Sequence, residues 1–74
     1  MSRLTPLKPT QVVRILTQLG FQRIRQEGSH IFFRHPDGRV TVVPMHKGED
    51  IGKGLLRKIL RDIKTPWEEF ARYK

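Results

Sequence analysis

The period of the apolar residues changes twice along this chain, from helical to extended and back. No other feature limits its fold so strongly. Val12, Ile15, Leu16 and Leu19 fall at i, i+3, i+4 and i+7, one face of a helix. Pro9 suits the first turn, where a missing N–H costs nothing. Gly20 supplies the usual left-handed stop, and Phe21 is placed to fold back onto the final turn. Leu56, Ile59, Leu60 and Ile63 repeat the same spacing and predict a second helix. Ahead of both, Met1 to Lys8 has no apolar period and contains Pro6, which predicts an extended lead-in.

Between the helices the period falls to two. Phe21 to Glu27 predicts a polar strand with Arg23 and Arg25 on one side and Ile24 on the other, interrupted by Gly28. Ser29 to His35 and Val40 to Pro44, rich in aromatic and β-branched residues, predict two more strands. They are joined by Pro36-Asp37-Gly38-Arg39, a hairpin signal centred on Asp-Gly. A turn closed around Asp37-Gly38 sets Ile31 opposite Pro44, Phe33 opposite Val42 and His35 opposite Val40 on one side of the sheet. The other side then carries His30 opposite Met45, Phe32 opposite Val43 and Arg34 opposite Thr41. The first side is more apolar and is expected to meet the helices; a slip of one residue exchanges the two. A polar loop runs from Met45 to about Gly52. Thr65-Pro66-Trp67-Glu68 has the form of a capping box with Pro at N1. It predicts a short C-terminal helix over 65–72, with Trp67 and Phe70 packing back on the body.

The expected class is therefore α+β: helix, three-stranded antiparallel sheet, helix, then a short helix, with the helices on one face of the sheet. In element order this resembles the double-stranded-RNA-binding fold. Seventy-four residues leave room for a single domain over 1–74, and a small core. The absence of cysteine excludes disulfides, Cys-containing zinc sites and a thiol nucleophile. The longest strictly aliphatic or aromatic run, Ile31-Phe32-Phe33, falls far short of the roughly 18 residues of a membrane helix. The N-terminus also lacks a signal peptide's apolar stretch. A soluble, cytoplasmic protein with no membrane partner is expected.

Fifteen Lys or Arg against seven Asp or Glu give a charge of +8, spread over the whole chain, so the folded surface itself is positive. A polyanion, most often nucleic acid, is the natural partner; an acidic protein is the alternative. On the second helix Lys53, Arg57, Arg61 and Lys64 fall within about 80° of one another. Such a row admits two readings, a solvated helix edge or a grip on phosphates.

Histidine is the only side chain here whose ordinary pKa lies near neutrality. A metal site needs about three protein ligands, and His30, His35 and His46 supply them only by converging. The expected pairing puts His30 and His35 on opposite faces, so neither a metal nor another cofactor is expected. His35, before Pro36, reads as a turn or surface residue. His46, after a strand-ending proline, is either structural or part of a site. His30 follows Gly28 and Ser29 where one strand gives way to the next, and Gly there permits close approach of a ligand. No acidic residue is spaced to complete a serine-hydrolase triad, and Ser29 and His30 diverge as neighbours on a strand. One histidine does suffice for RNA cleavage. The 2′-OH is a built-in nucleophile, an imidazole acting as general base or acid contributes roughly 10²–10⁴-fold, and nearby cations stabilise the phosphorane.

The same residues carry a family resemblance. The chain resembles HicA-type toxins, the mRNA-interferase half of bacterial or archaeal toxin–antitoxin pairs, from about Leu7 to Ile63. The resemblance rests on five pieces in order: Leu19-Gly20-Phe21, Arg25-Gln26-Glu27-Gly28-Ser29-His30, His35-Pro36-Asp37-Gly38, Pro44-Met45-His46, and Gly54-Leu55-Leu56-Arg57-Lys58-Ile59-Leu60-Arg61. It implies that His30 is the catalytic residue, framed by Gly28 and Ser29. It also implies ribosome-independent mRNA cleavage, growth arrest, and a HicB-type antitoxin whose partial RNase-H-like domain covers the histidine. Two positions depart from the family: Glu27, where a basic residue is common, and Leu55, where Thr is usual. The first implies a weaker grip on RNA beside the site, and the second removes a hydroxyl at the start of the helix.

The expected function is thus a metal-independent endoribonuclease toxin. Arg25, Arg34, Lys53, Arg57 and Arg61 are the candidate contacts to the RNA backbone. A non-catalytic RNA-binding module and a pure protein-interaction module are the alternatives, since fold alone does not decide function.

Overall fold

The computed structural model describes residues 3–74. Met1 and Ser2, part of the expected lead-in, lie outside the described residues. The element order is α1 (Pro9–Gln18), β1 (Gln22–Glu27), β2 (His30–Arg34), β3 (Val40–Pro44), α2 (Lys53–Asp62) and α3 (Trp67–Phe70), ending in a 3₁₀ turn at Ala71–Tyr73. The strands form one antiparallel sheet in the order β1-β2-β3. Val12, Ile15 and Leu16 of α1, Leu56, Ile59 and Leu60 of α2, Trp67 and Phe70 of α3, and Ile31, Phe33 and Val43 of the sheet share one buried cluster. All helices therefore cover the same face, and no described element lies over the other. The thin dimension of the molecule, 17 Å against 35 and 31 Å, reflects these two layers.

Both long helices end in the same hydrogen-bonded motif. After α1, the Phe21 N–H donates to the Leu16 carbonyl at 2.9 Å and Gly20 N–H to Thr17 at 3.1 Å, with Gly20 at φ 97°. After α2, Thr65 N–H donates to Leu60 at 3.1 Å and Lys64 N–H to Arg61 at 3.2 Å. Lys64 occupies the left-handed position there, at φ 53°, the one described non-glycine residue with positive φ. It consequently leaves the helix and drops out of the expected cationic row. At the other end of α1, Gln11 Oε1 accepts the Lys8 N–H at 2.9 Å.

The bounds of β3 agree with the spacing, but its register does not. The observed pairs are His30 with Pro44, Ile31 with Val43, Phe32 with Val42, Phe33 with Thr41 and Arg34 with Val40, one residue away from expectation. The loop is the cause. His35 carbonyl accepts the Gly38 N–H at 2.9 Å around Pro36 and Asp37, Gly38 follows at φ 101°, and His35 N–H donates to Arg39 at 2.8 Å. That is a three-residue loop, a type I turn plus a left-handed glycine, and not a two-residue Asp-Gly turn. β2 keeps its expected faces, whereas Thr41 and Val43 point inward in place of Val40, Val42 and Pro44. The buried Thr41 hydroxyl is satisfied by donating to Asp62 Oδ2 at 3.0 Å.

Three smaller expectations also change. A bulge between Arg23 and Arg25 sets Arg23 opposite Phe33 and Arg25 opposite Phe32, so the two arginines do not share a side. Thr65 does not cap α3: its hydroxyl donates back to the Ile63 carbonyl at 3.1 Å, and Pro66 is the N-cap, its carbonyl accepting from Glu69 and Phe70. α3 itself is one turn, 67–70, continued to Tyr73 as 3₁₀. The lead-in also takes part in the fold, because buried Leu7 bridges Ile51 through backbone bonds of 2.7 and 3.2 Å.

Arg39 joins the turn to the helical layer. Its Nε donates to Asp37 at 2.8 and 3.1 Å, its Nη1 donates to the Ile63 carbonyl at the end of α2, and its guanidinium lies 5.1 Å from the centre of the Phe21 ring. The Arg39 backbone N–H, and then its guanidinium, hold the Asp37 carboxyl below its ordinary pKa.

Two tests follow from these contacts. A left-handed φ costs a side chain about 1–2 kcal/mol, which outweighs the roughly 0.5–1 kcal/mol of chain entropy a glycine loses. Lys64→Gly is therefore expected to stabilise by about 0.5–1 kcal/mol, raising the thermal midpoint by some 4–8 °C per kcal/mol. Gly20→Ala should do the opposite, since its Cβ would meet His35 Nε2 at 3.0 Å as well. For the clamp, Arg39→Lys should cost about 1–3 kcal/mol in a thermal melt, because an ammonium cannot serve Asp37 and Ile63 together. Asp37 stabilises above the unfolded Asp pKa of about 3.9, and that contribution disappears as pH falls through the lowered folded value. The melting difference between wild type and Asp37→Asn should therefore close in acid.

Candidate active site on the open sheet face

His30 is the first residue of β2 and stands exposed on the uncovered face of the sheet. The turn before it makes this so. Gly28 and Ser29 form a two-residue hairpin loop closed by the pair Glu27 and His30, and only the first of them has positive φ, 58° at Gly28. That is the pattern of a type II′ turn, which asks for glycine at its first central position. Beyond its two chain neighbours, no described residue comes within 4 Å of where a Gly28 Cβ would stand, so the glycine serves the backbone conformation and leaves the tip open. Gln26 Nε2 donates to the Gly28 carbonyl at 3.0 Å and steadies the turn.

Alternation along β2 places Phe32 and Arg34 on the same face as His30. Across from them Glu27 pairs with His30 and Arg25 with Phe32, and the Arg25 guanidinium sits 4.3 Å from the Phe32 ring centre. Arg25 also pairs with Glu27 at 3.3 Å, both side chains largely exposed. Glu27, the departure from the family pattern, thus lies beside the histidine and is engaged by the nearest cation. Arg34 is four residues along the strand, roughly 13–14 Å from His30.

The second-helix cations are elsewhere. Lys53, Arg57 and Arg61 are exposed on α2, in the layer on the far side of the sheet from His30, and make no ion pair among the described residues. Leu55, the other departure, packs partly buried against the core, and α2 begins at Gly52 without a side-chain cap.

The three histidines separate into a pair and a single. His35 packs edge-on against Phe21, ring centres 5.1 Å apart, and its Nδ1 accepts the Asp37 N–H at 3.1 Å. It is a structural residue of the turn. His46 comes to His30, with ring centres 6.2 Å apart and planes nearly perpendicular at 86°. Two backbone ties hold it there. Met45 N–H donates to the Ser29 carbonyl at 2.6 Å, and the His46 carbonyl accepts the Glu49 N–H at 3.1 Å across a turn with Gly48 at φ 78°. A groove of about 570 Å³ opens beside it, between the start of α1 (Lys8, Thr10) and the loop bearing Met45, His46, Glu49 and Asp50. Sequence spacing left His46 undecided. Pro44-Met45 followed by Lys47-Gly48 was the available signal: a strand end and a glycine turn that confine the residue between them.

No group of three or more His, Cys, Asp or Glu side chains is placed to hold a metal among the described residues. Nor is any described helix long and apolar enough to cross a membrane. The arrangement offers two exposed imidazoles, one cation on an aromatic ring, and an uncovered sheet surface on which an extended polymer can lie.

A family model described as the HicA toxin of bacterial toxin–antitoxin systems matches residues 10–64. That span runs from the first turn of α1 to the cap of α2 and contains the whole sheet. No curated protein matches the chain.

Proposed function

The chain belongs to the HicA toxin family of bacterial toxin–antitoxin systems, and from that premise we propose that it is a metal-independent endoribonuclease that cleaves mRNA without the ribosome. His30 is the catalytic residue of this reading. The observation that carries it is the exposure of His30 on an uncovered sheet face, at the tip of a hairpin opened by Gly28. A general base or acid must come within about 2.6–3.2 Å of the proton it moves. An imidazole that no neighbour covers meets that demand for a polymer lying across the sheet.

The substrate supplies what a 74-residue domain lacks. The RNA 2′-OH attacks the adjacent phosphorus while His30 moves a proton at that centre, a contribution of roughly 10²–10⁴-fold. Arg25 lies diagonal to His30 on the same face and is the closest of the candidate cations to the phosphorane charge. Phe32, under Arg25, offers a ring on which a base can stack, worth about 1–3 kcal/mol per base in single-strand binders. Arg34 and the α2 cations Lys53, Arg57 and Arg61 act on more distant phosphates. Gly28 and Ser29 frame the site through the turn.

The toxin works with a cognate antitoxin. In this reading the partner is of the HicB type and silences the toxin by covering the open face over His30. Because it binds only the folded toxin, it also stabilises a domain with a small core. Toxin expressed without it arrests growth by destroying mRNA in the cytoplasm.

Cleavage of a synthetic single-stranded RNA by the purified chain tests the proposal. Products should form equally with and without EDTA, and His30→Ala should lower the rate by at least about 10²-fold while the thermal melt stays unchanged, since the side chain is exposed. No cleavage by the intact chain would leave the alternative of an RNA-binding module without catalysis, and undiminished cleavage by His30→Ala would remove His30 from the catalytic role.

A further inference from the structure

We propose that His46 is a second catalytic residue, and that His30 and His46 act together as the base and acid of one phosphoryl transfer. The inference rests on the endoribonuclease reading above and extends it from one histidine to a pair.

The chemistry requires two proton movements. The 2′-oxygen loses a proton as its bond to phosphorus forms, and the 5′-oxygen gains one as its bond to phosphorus breaks. A lone imidazole at one side of the phosphorus serves one of these well, and the other is left to water. Two imidazoles serve both: the neutral one takes the 2′-OH proton, and the protonated one delivers a proton to the departing 5′-oxygen. The bond formed is 2′-O–P and the bond broken is P–5′-O. The products are a 2′,3′-cyclic phosphate and a 5′-hydroxyl, and the pair ends with its protonation states exchanged. Return to the starting state needs only proton exchange with water.

The geometry fits such a pair. Rings that hydrogen-bonded each other directly would bring nitrogens to about 2.7–3.2 Å and leave no room for a phosphate. Rings much more distant could not reach the same phosphoryl group. At 6.2 Å between centres the two imidazoles are set edge-to-face, both exposed, and among the described residues no side chain hydrogen-bonds to either. Nor is the placement accidental to a loose loop. Met45 is tied to Ser29, which directly precedes His30; His46 is held in the Gly48 turn; and Ile51 is anchored by its two bonds to Leu7. The backbone segments that carry the two histidines are thereby bonded to each other.

Other groups surround the pair. Glu27 faces His30 from β1 but is engaged by Arg25 at 3.3 Å, which makes it the less available proton carrier. Ser29 and Pro44 complete the neighbourhood of His30 without titrating. Around His46 are Lys47, Glu49 and Asp50 of its own loop and Lys8 ahead of α1, all lining one groove with it.

The experiment compares wild type, His30→Ala and His46→Ala on two RNAs, one ordinary and one with sulfur replacing the scissile 5′-oxygen. Sulfur departs without needing a proton, so it relieves the loss of an acid and not the loss of a base. The expected results are a bell-shaped pH–rate profile for wild type, a rate lowered at least about 10²-fold by either substitution on ordinary RNA, and one limb of the bell missing in each variant. Sulfur should restore near wild-type cleavage to only one of the two. Unchanged thermal melts confirm that both variants fold. Cleavage by His46→Ala within about threefold of wild type, while His30→Ala is inactive, overturns the pair and leaves the single-histidine reading standing. Loss of activity in both variants with no rescue by sulfur in either also overturns it, making His46 a positioning residue. Absence of cleavage by the wild-type chain overturns both readings together.

Discussion

Between β2 and β3 the His35–Arg39 pair closes a loop of three residues, Pro36, Asp37 and Gly38, and the direction of every β3 side chain depends on that number. With three, Thr41 and Val43 point at the helices and Val40 and Val42 stay on the open face. With two, the set reverses. The rest of the molecule is consistent with only one of these. An inward Thr41 needs a partner, and Asp62 near the end of α2 provides it while also accepting from Lys58 at 3.0 Å. The arginine just past the turn, Arg39, then reaches the carbonyl of Ile63 and the ring of Phe21, so one side chain links the hairpin to the ends of both long helices. Register, helix termini and turn are thus mutually dependent, as a sequence with one stable fold requires.

A domain of this size covers one face of its sheet and not the other. The helices supply enough apolar surface for Ile31, Phe33 and Val43, and among the described residues there is no third layer for Phe32, Val42 and Val40. In a chain without a binding role such a face is a liability, since exposed apolar strips and an unpaired edge strand such as β1 invite association. Here the same face carries the exposed His30, the Arg25–Phe32 pair and Arg34. Under the proposed function, the surface left bare by small size is also the one that would hold the chemistry, and a partner covering it would both block that chemistry and bury the apolar strip.

Much of this was legible in the residues. Helical spacing located α1 and α2 within a residue or two, Gly20 marked the first helix stop, and Gly28 marked the turn that exposes His30. The remainder failed for identifiable reasons. Asp-Gly occurs in both two- and three-residue hairpin loops, and Pro36 at the start of a type I turn, a weaker signal than Asp-Gly, favours the longer one. The second helix stop falls on Lys64, which no propensity would select for a left-handed position. The Ile24 bulge leaves no mark in a strand exposed along its length. The approach of His46 to His30 joins residues sixteen positions apart through backbone bonds, and spacing alone cannot foresee it.

The distribution of charge follows the same division into layers. A net +8 spread along the sequence first suggests one continuous cationic surface. The sheet separates it. Arg25 and Arg34 lie on the face with His30, while Lys53, Arg57 and Arg61 project from the helical layer behind it. A single extended strand lying across the histidines cannot contact both sets at once. Under the proposed function the helix row has two ways to act on RNA: as a source of field that draws it in from a distance and fades with salt over about 10 Å at 0.1 M, or as a contact for RNA that bends around the edge of the sheet. The two differ in how they scale. Field effects slow association without altering where the RNA is cut, whereas a wrapped contact removes a phosphate from the bound path and lowers the salt slope of binding by about one per cation lost. The positions of the α2 cations, exposed and unpaired on the far layer, are better matched to the first. Under the proposed function, contact with RNA bases would then fall to the sheet face and the groove beside His46.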